Sequence, residues 1–167
     1  MAGLLTTYQG PVLPDWVDYN GHLRDAFYLL IFSYATDGLM DQIGLDSAGR
    51  AASGHSLFTL ECHLNYLHEV KVGAQVEVRT QVLGQDAKRL HIHHTLHLAE
   101  QPTVLAANEQ MLLHVALAGP RATAFVPPVL GQVQALAAAH QALPRPEHVG
   151  RVMALPVFVP VPVTSSR

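Results

Sequence analysis

One change of period governs what this chain can fold into. Between residues 23 and 43 apolar side chains recur every three or four positions, and from residue 56 to 116 they recur every second one. Ala26, Phe27, Leu30, Ile31, Tyr34 and Leu39 mark the helical stripe, while Tyr28, Leu29 and Phe32 fill the other sides. The spacing therefore predicts a helix that is apolar nearly all round and enclosed by the rest of the protein. Next, Phe58, Leu60, Cys62, Leu64 and Tyr66 alternate with Thr59, Glu61, His63 and Asn65. Val76, Val78 and Val82 then alternate with Glu77, Arg79 and Gln81, and residues 84–88 form a hairpin turn. Leu90, Ile92, Leu96 and Leu98 oppose Arg89, His91, His93, Thr95 and His97, and a last long strand covers residues 104–116. Connections this short imply antiparallel pairing, so the expected class is α+β, with an antiparallel sheet packed on one long helix.

The flanking segments are less regular. Residues 4–13 read as a short strand interrupted by Pro11 and Pro14, and residues 46–54 as a loop or a brief second helix. Pro127 and Pro128 open an Ala/Gln/Leu helix running to about residue 143. A Pro-rich stretch, residues 144–163, is apolar but unable to pair regularly, and is expected to lie across a surface. Residues 1–125 thus form the main domain, and residues 126–167 an extension packed on it.

Composition narrows the function. Hydrophobic residues make up 49% and charged residues 14%, against about 25% charged in an average domain. Much of the surface is therefore expected to be covered, most simply by a second copy of the chain. With a net charge of −3, two Lys and eight Arg, the chain has no basic face for nucleic acid. The densest apolar stretch, residues 26–32, is far shorter than the roughly 18 to 20 residues of a membrane span. The first residues lack the basic segment of a secretory signal, so a cytoplasmic protein without membrane contact is expected. The single cysteine excludes an intrachain disulfide and a Cys-based zinc site, and its place in the apolar phase of its strand predicts a core thiol.

The chemistry concentrates before the helix. Asp18 stands three residues ahead of Gly21, and the helix begins close behind. A helix start carries N–H groups without partners and favours negative charge, so it can hold an oxyanion developing on an acyl carbonyl. A carboxylate on that turn can attack the carbonyl or deprotonate water; alternatively, Asp18 only caps the turn. Glu61 is an acid in an otherwise apolar strand, on a face shared with Thr59, His63 and Asn65. It either belongs to a solvated face or serves the site. His91 and His93 have the spacing of a zinc pair on a strand, with His63 or His114 needed as third ligand. Arg89 shares their face and no second motif fixes the geometry, so no metal is expected.

The run Pro14-Asp-Trp-Val-Asp-Tyr-Asn-Gly-His-Leu-Arg-Asp-Ala-Phe-Tyr-Leu29 resembles hot-dog-fold thioesterases of the 4-hydroxybenzoyl-CoA thioesterase type. Their pattern of Asp, two residues, Gly, often His, then a helix with Tyr-Leu and Phe falls on Asp18, Gly21, His22, Tyr28, Leu29 and Phe32. Asn65-Tyr-Leu-His-Glu-Val-Lys-Val-Gly73, Val76-Glu-Val-Arg-Thr80 and Asp86-Ala-Lys-Arg-Leu90 match later segments in order, so the resemblance covers residues 8–118. The wording Trp16-Val-Asp-Tyr-Asn-Gly-His22 is similar to the subgroup of betainyl-CoA thioesterases.

The resemblance implies a hot-dog sheet wrapped round the helix and hydrolysis of a small acyl-CoA, with coenzyme A as part of the substrate and no separate cofactor. It makes Asp18 the nucleophile or general base and gives Gly21 the close approach of substrate to backbone. The amide near Asp25 then polarises the carbonyl, Asn20 and His22 orient the acyl group or a water, and Lys88 and Arg89 meet CoA phosphates. It also implies a homo-oligomer with sites between subunits, where Glu61 could assist. For a betainyl group, Trp16, Tyr19 and Phe27 would face the quaternary ammonium. Asp25 departs from the pattern, since the family often has Asn in this stretch. Two other readings remain open: a hot-dog hydratase or dehydratase pairing His22 with Glu61, and a non-catalytic acyl-CoA-binding module.

Overall fold

A computed structural model describes residues 3–155. The chain begins with β1 (Leu5–Pro11) and a 3-10 turn (Pro14–Trp16). Helix α1 (Asp25–Gln42) and the short α2 (Ser47–Ser53) follow. Four long strands come next, β2 (His55–Tyr66), β3 (Gln75–Gln85), β4 (Arg89–Leu98) and β5 (Val104–Ala116), then the two-residue β6 (Arg121–Ala122) and α3 (Val129–His140). All pairings are antiparallel, in the order β1-β3-β4-β5-β2, with β6 on β5. Strand β2 therefore lies at an edge, and residues 67–74 carry the chain from it past β5 and β4 to β3.

Helix α1 lies against this sheet with Tyr28, Ile31, Phe32, Ala35, Thr36, Leu39 and Met40 buried. Its contact with β1 is so close that a Cβ on Gly38 would sit 2.0 Å from the Thr7 carbonyl oxygen. The helix is not enclosed all round, as its pattern suggested: Leu29 and Tyr34 are each 42% exposed. The sheet covers one side only, and among the described residues nothing buries Leu29 and Tyr34 on the other.

The core is two apolar clusters. One gathers around the N-terminal half of α1 with Val12, Trp16, Val76 and Leu96; the other gathers around its C-terminal end with Val82, Leu90, Leu112 and Phe125. Between them runs a buried polar chain. Thr7 Oγ1 lies 2.7 Å from Thr80 Oγ1, which lies 2.7 Å from His94 Nδ1. His94 Nε2 is 3.1 Å from Thr36 Oγ1, which donates to Gln110 Oε1 at 3.1 Å. Burial drives the His94 imidazole down to about 3, so it is neutral and bonds as one donor and one acceptor.

The expected alternation fails in β2. A bulge between Thr59 and Glu61 absorbs Leu60 and reverses the phase. Phe58 pairs with Leu113 on the outer face, whereas Cys62 pairs with Gln110 on the helix side. Cys62 is exposed rather than a core thiol, because it stands on the edge strand, which α1 touches only in part.

Helix α3 packs on β3, and Val129 and Val133 join the second cluster. Beyond the end of β1, His140 Nδ1 accepts the Val82 N–H at 2.8 Å, taking the place of a neighbouring strand. The segment after α3 then crosses the outer face of the sheet. Gln81 Nε2 on β3 donates to the Pro144 carbonyl at 3.3 Å, and the Gly150 N–H donates to Glu109 Oε2 on β5 at 2.6 Å. The part of the Pro-rich stretch from residue 156 on lies outside the described residues.

Candidate functional site

The turn before α1 is fixed by its own backbone. Gly21 N–H donates to the Asp18 carbonyl at 3.0 Å, and Asp18 N–H to the His22 carbonyl at 2.9 Å. Gly21 has φ +76°, the left-handed region that closes such a turn at little cost only for glycine. The crossover segment clamps the turn from outside: Leu23 N–H donates to the Val70 carbonyl at 2.8 Å, and Val72 N–H to the Gly21 carbonyl at 3.0 Å.

This clamp holds Asp18 in one orientation. Its Oδ1 accepts the Asn20 N–H at 2.8 Å and the His22 N–H at 3.0 Å, and Oδ2 has no partner among the described residues. The hydrogen bond from the His22 amide, helped by that from Asn20 and by the His22 and Arg24 charges, lowers the Asp18 carboxyl below its ordinary value. Asp18 is thus an ionised, solvent-facing carboxylate with one free oxygen, held one turn ahead of a helix N-terminus.

Asn20, Gly21 and His22 share that turn, and Asp25 opens α1, where its Oδ1 accepts the Ala26 N–H at 2.9 Å. A cleft of about 290 Å³ lies beside the helix start, lined by Leu23, Asp25, Tyr28, Tyr66, Leu67, His68 and Glu69. Of these, Asp25 is the one site residue expected from the sequence and Tyr28 a position of the family pattern; Tyr66 and Glu69 are neither. Both lie in the 65–73 stretch that matches the family, and an acid and an aromatic beside the crossover were the available signal.

Trp16 is 9% exposed and stacks on Phe27 with ring centroids 6.0 Å apart, while Tyr19 is 94% exposed; these three rings do not form a cage. Glu61 pairs in register with Met111 and lines a cavity with His63, Glu109 and Arg151 on the outer sheet face. His22 does not meet it; its Nε2 lies 3.2 Å from Glu69 Oε2. The pair needed for a hydratase within one chain is therefore not formed. His91 Nε2 is bound to Glu109 Oε1 at 2.6 Å, and no group of three metal-ligating side chains is placed to hold an ion among the described residues.

Lys88 and Arg89 lie at the other end of the molecule. Arg89 Nε donates to Asp86 Oδ2 at 2.7 Å, and Asp86 also accepts the amides of Lys88 and Arg89 at 2.9 and 2.8 Å. Chiefly through the Arg89 side chain, Asp86 is lowered to about 2. Leu90, next along, packs with Leu39 and Met40 near the C-terminal end of α1, so the helix separates this hairpin from Asp18. An 18-residue helix spans roughly 27 Å.

Comparison with known proteins agrees with this architecture. The family model described as the thioesterase-like superfamily matches residues 12–134. The chain is 70% identical over 156 residues to a betainyl-CoA thioesterase of Pseudomonas aeruginosa, covering 93% of this chain and 98% of that protein. It is 42% identical over 146 residues to an L-carnitine dehydrogenase/betainyl-CoA thioesterase of Agrobacterium fabrum, covering 87% of this chain but 30% of that longer protein. A Staphylococcus aureus protein solved in complex with CoA superposes with a TM-score of 0.84 at 28% identity, covering 93% of this chain and 99% of that one. With the antiparallel sheet packed on α1 and Asp18 ahead of the helix start, this chain belongs to the thioesterase-like superfamily and is a hot-dog thioester hydrolase.

Proposed function

We propose that this chain hydrolyses betainyl-CoA to betaine and coenzyme A, with Asp18 as the reacting carboxylate. The observation that carries the reading is the position of Asp18: an ionised carboxylate with a free oxygen, on the turn leading into α1, where the Ala26 and Phe27 N–H groups are taken by Asp25 Oδ1 and the Arg24 carbonyl and the Asp25 N–H has no partner among the described residues. The thioester carbonyl oxygen lies against that helix start, where the Asp25 N–H and the dipole favour the developing negative charge. Asp18 Oδ2 either attacks the carbonyl carbon, giving an anhydride that water then opens, or takes the proton of a water that attacks in its place. In both routes the carbon–sulfur bond breaks, the thiolate leaves and is protonated, and the acid departs. The 70% identity to a betainyl-CoA thioesterase supports this acyl group.

The working form in this reading is a cytoplasmic homo-oligomer. Strand β2 leaves Phe58, Leu60 and Tyr66 exposed along a free sheet edge, a surface that a second copy covers by antiparallel pairing. Such pairing brings the helix start of one subunit toward the hairpin end of the other. Lys88 and Arg89 then meet the CoA phosphates bound at the partner's Asp18, which they do not reach within their own chain. Thiol release from betainyl, short aliphatic, long aliphatic and aromatic CoA esters tests the function. The betainyl ester is expected to be cleaved fastest; no release from any ester would favour the binding-module reading.

A further inference from the structure

The cleft beside α1 has a charge and shape that hydrolysis of an ordinary acyl group does not require. Two carboxylates, Asp25 and Glu69, open onto it, and neither Lys nor Arg lines it. The Glu69 side chain is 76% exposed, and its one partner among the described residues is the His22 ring. Negative groups at this place oppose the oxyanion that must form close by. For a neutral or anionic acyl group, Asp25 and Glu69 are a liability.

The aromatic residues of the cleft are arranged to present rings rather than hydroxyls. Tyr28 and Tyr66 meet edge to face, with centroids 5.2 Å apart and planes at 89°. The Tyr28 hydroxyl donates to the His68 carbonyl at 3.1 Å, and the Tyr66 hydroxyl to the Asp25 carbonyl at 3.3 Å. Both hydroxyls are used on backbone, which fixes the rings; Tyr66 is 53% exposed at the cleft, and the buried Tyr28 ring backs it. Asp25 and Glu69 also push the Tyr66 and Tyr28 phenols upward, in each case after burial as the main cause, as expected in a negative local field.

A quaternary ammonium has no N–H to donate, so only ring faces and opposite charge can recognise it. In a betainyl thioester that cation is separated from the carbonyl carbon by a single methylene, so its subsite must adjoin the helix start. We propose that Tyr66, Tyr28, Asp25 and Glu69 form the subsite for the acyl group's quaternary ammonium, which makes them specificity determinants of the thioesterase. The inference rests on the betainyl-CoA reading above. It also gives Asp25 a purpose at the helix start: the carboxylate neutralises a cation that the bound substrate always carries.

The test compares kcat/KM for betainyl-CoA with that for 3,3-dimethylbutanoyl-CoA, in which carbon replaces the ammonium nitrogen at the same shape. Tyr66→Leu is expected to lower the ratio of the two about tenfold, and Tyr66→Phe to keep it near the wild-type value. Glu69→Gln is expected to lower the ratio several-fold, with the difference from wild type shrinking as salt is raised. Circular dichroism checks that each variant is folded. A wild-type preference for the betainyl ester that survives both Tyr66→Leu and Glu69→Gln would overturn the subsite while leaving the betainyl reading intact. Equal losses on the two esters would overturn it as well, since they mark a structural role. Cleavage of both esters by the wild type without preference would overturn the cationic substrate and the subsite together, leaving only the thioesterase.

Discussion

In the proposed reaction Asp18 acts through what holds it. Two amides bind one of its oxygens and keep the carboxyl below its ordinary value, so it is ionised at neutral pH. The acid limb of the pH dependence of kcat/KM is therefore expected to lie below the ordinary carboxylate range. A limb near about 6.5 would assign the titration to a histidine instead of Asp18. Gly21 is the companion test, because a side chain at φ +76° costs roughly 1–2 kcal/mol. No atom lies within 4 Å of where its Cβ would be, so Gly21→Ala has room and pays only this strain. It should lower kcat/KM and shift the urea midpoint only modestly; wild-type kinetics would show that the turn need not be so tight.

At the level of elements, close approach of α1 to β1 sets the most sensitive position. Gly38→Ala forces backbone apart, and is expected to destabilise the protein by about 1–3 kcal/mol in urea unfolding; an unchanged midpoint would mean the helix moves freely on the sheet. How far these elements could be read in advance follows from whether their causes are local. The long helix, β3, β4 and β5 follow from the period of their own residues, and β5 was expected on residues 104–116, the bounds it has. Strand β2 depends on distant chain: its edge position, and the bulge that moves Phe58 and Cys62 to opposite faces, are set by partners that alternation does not reveal. His94 shares the phase of Leu90, Ile92 and Leu96 and was passed over, since its hydroxyl partners Thr36 and Thr80 lie 58 and 14 residues away. Asp18, Asn20, Gly21 and His22 were recognisable because one continuous turn holds them all. The Asp25, Glu69, Tyr28 and Tyr66 cleft was not, because it is assembled by the crossover from β2 to β3.

The whole molecule carries an acid sensitivity in its histidines. Burial lowers His93 to about 4 and His94 to about 3, and also lowers His97, His114 and His140. Each is held neutral in the fold, whereas the unfolded chain protonates near the ordinary value of about 6.5. Their contribution to stability is thus complete above that value and is lost as pH falls toward their folded values, at up to about 1.4 kcal/mol per pH unit for each proton. Urea midpoints should be level from pH 9 to 7 and fall steeply below 6; a midpoint constant down to pH 4 would contradict the buried neutral imidazoles. At the same scale lies the central claim, that this sheet and helix exist to place one carboxylate beside a thioester. Asp18→Asn keeps an oxygen acceptor for the Asn20 and His22 amides while removing the charge and the nucleophile, so the turn is preserved. The decisive measurement is thiol release from betainyl-CoA by this variant, with its fold checked by circular dichroism. The account predicts a loss of about a thousandfold or more in kcat; turnover near wild type in the folded variant would remove Asp18 from the reaction.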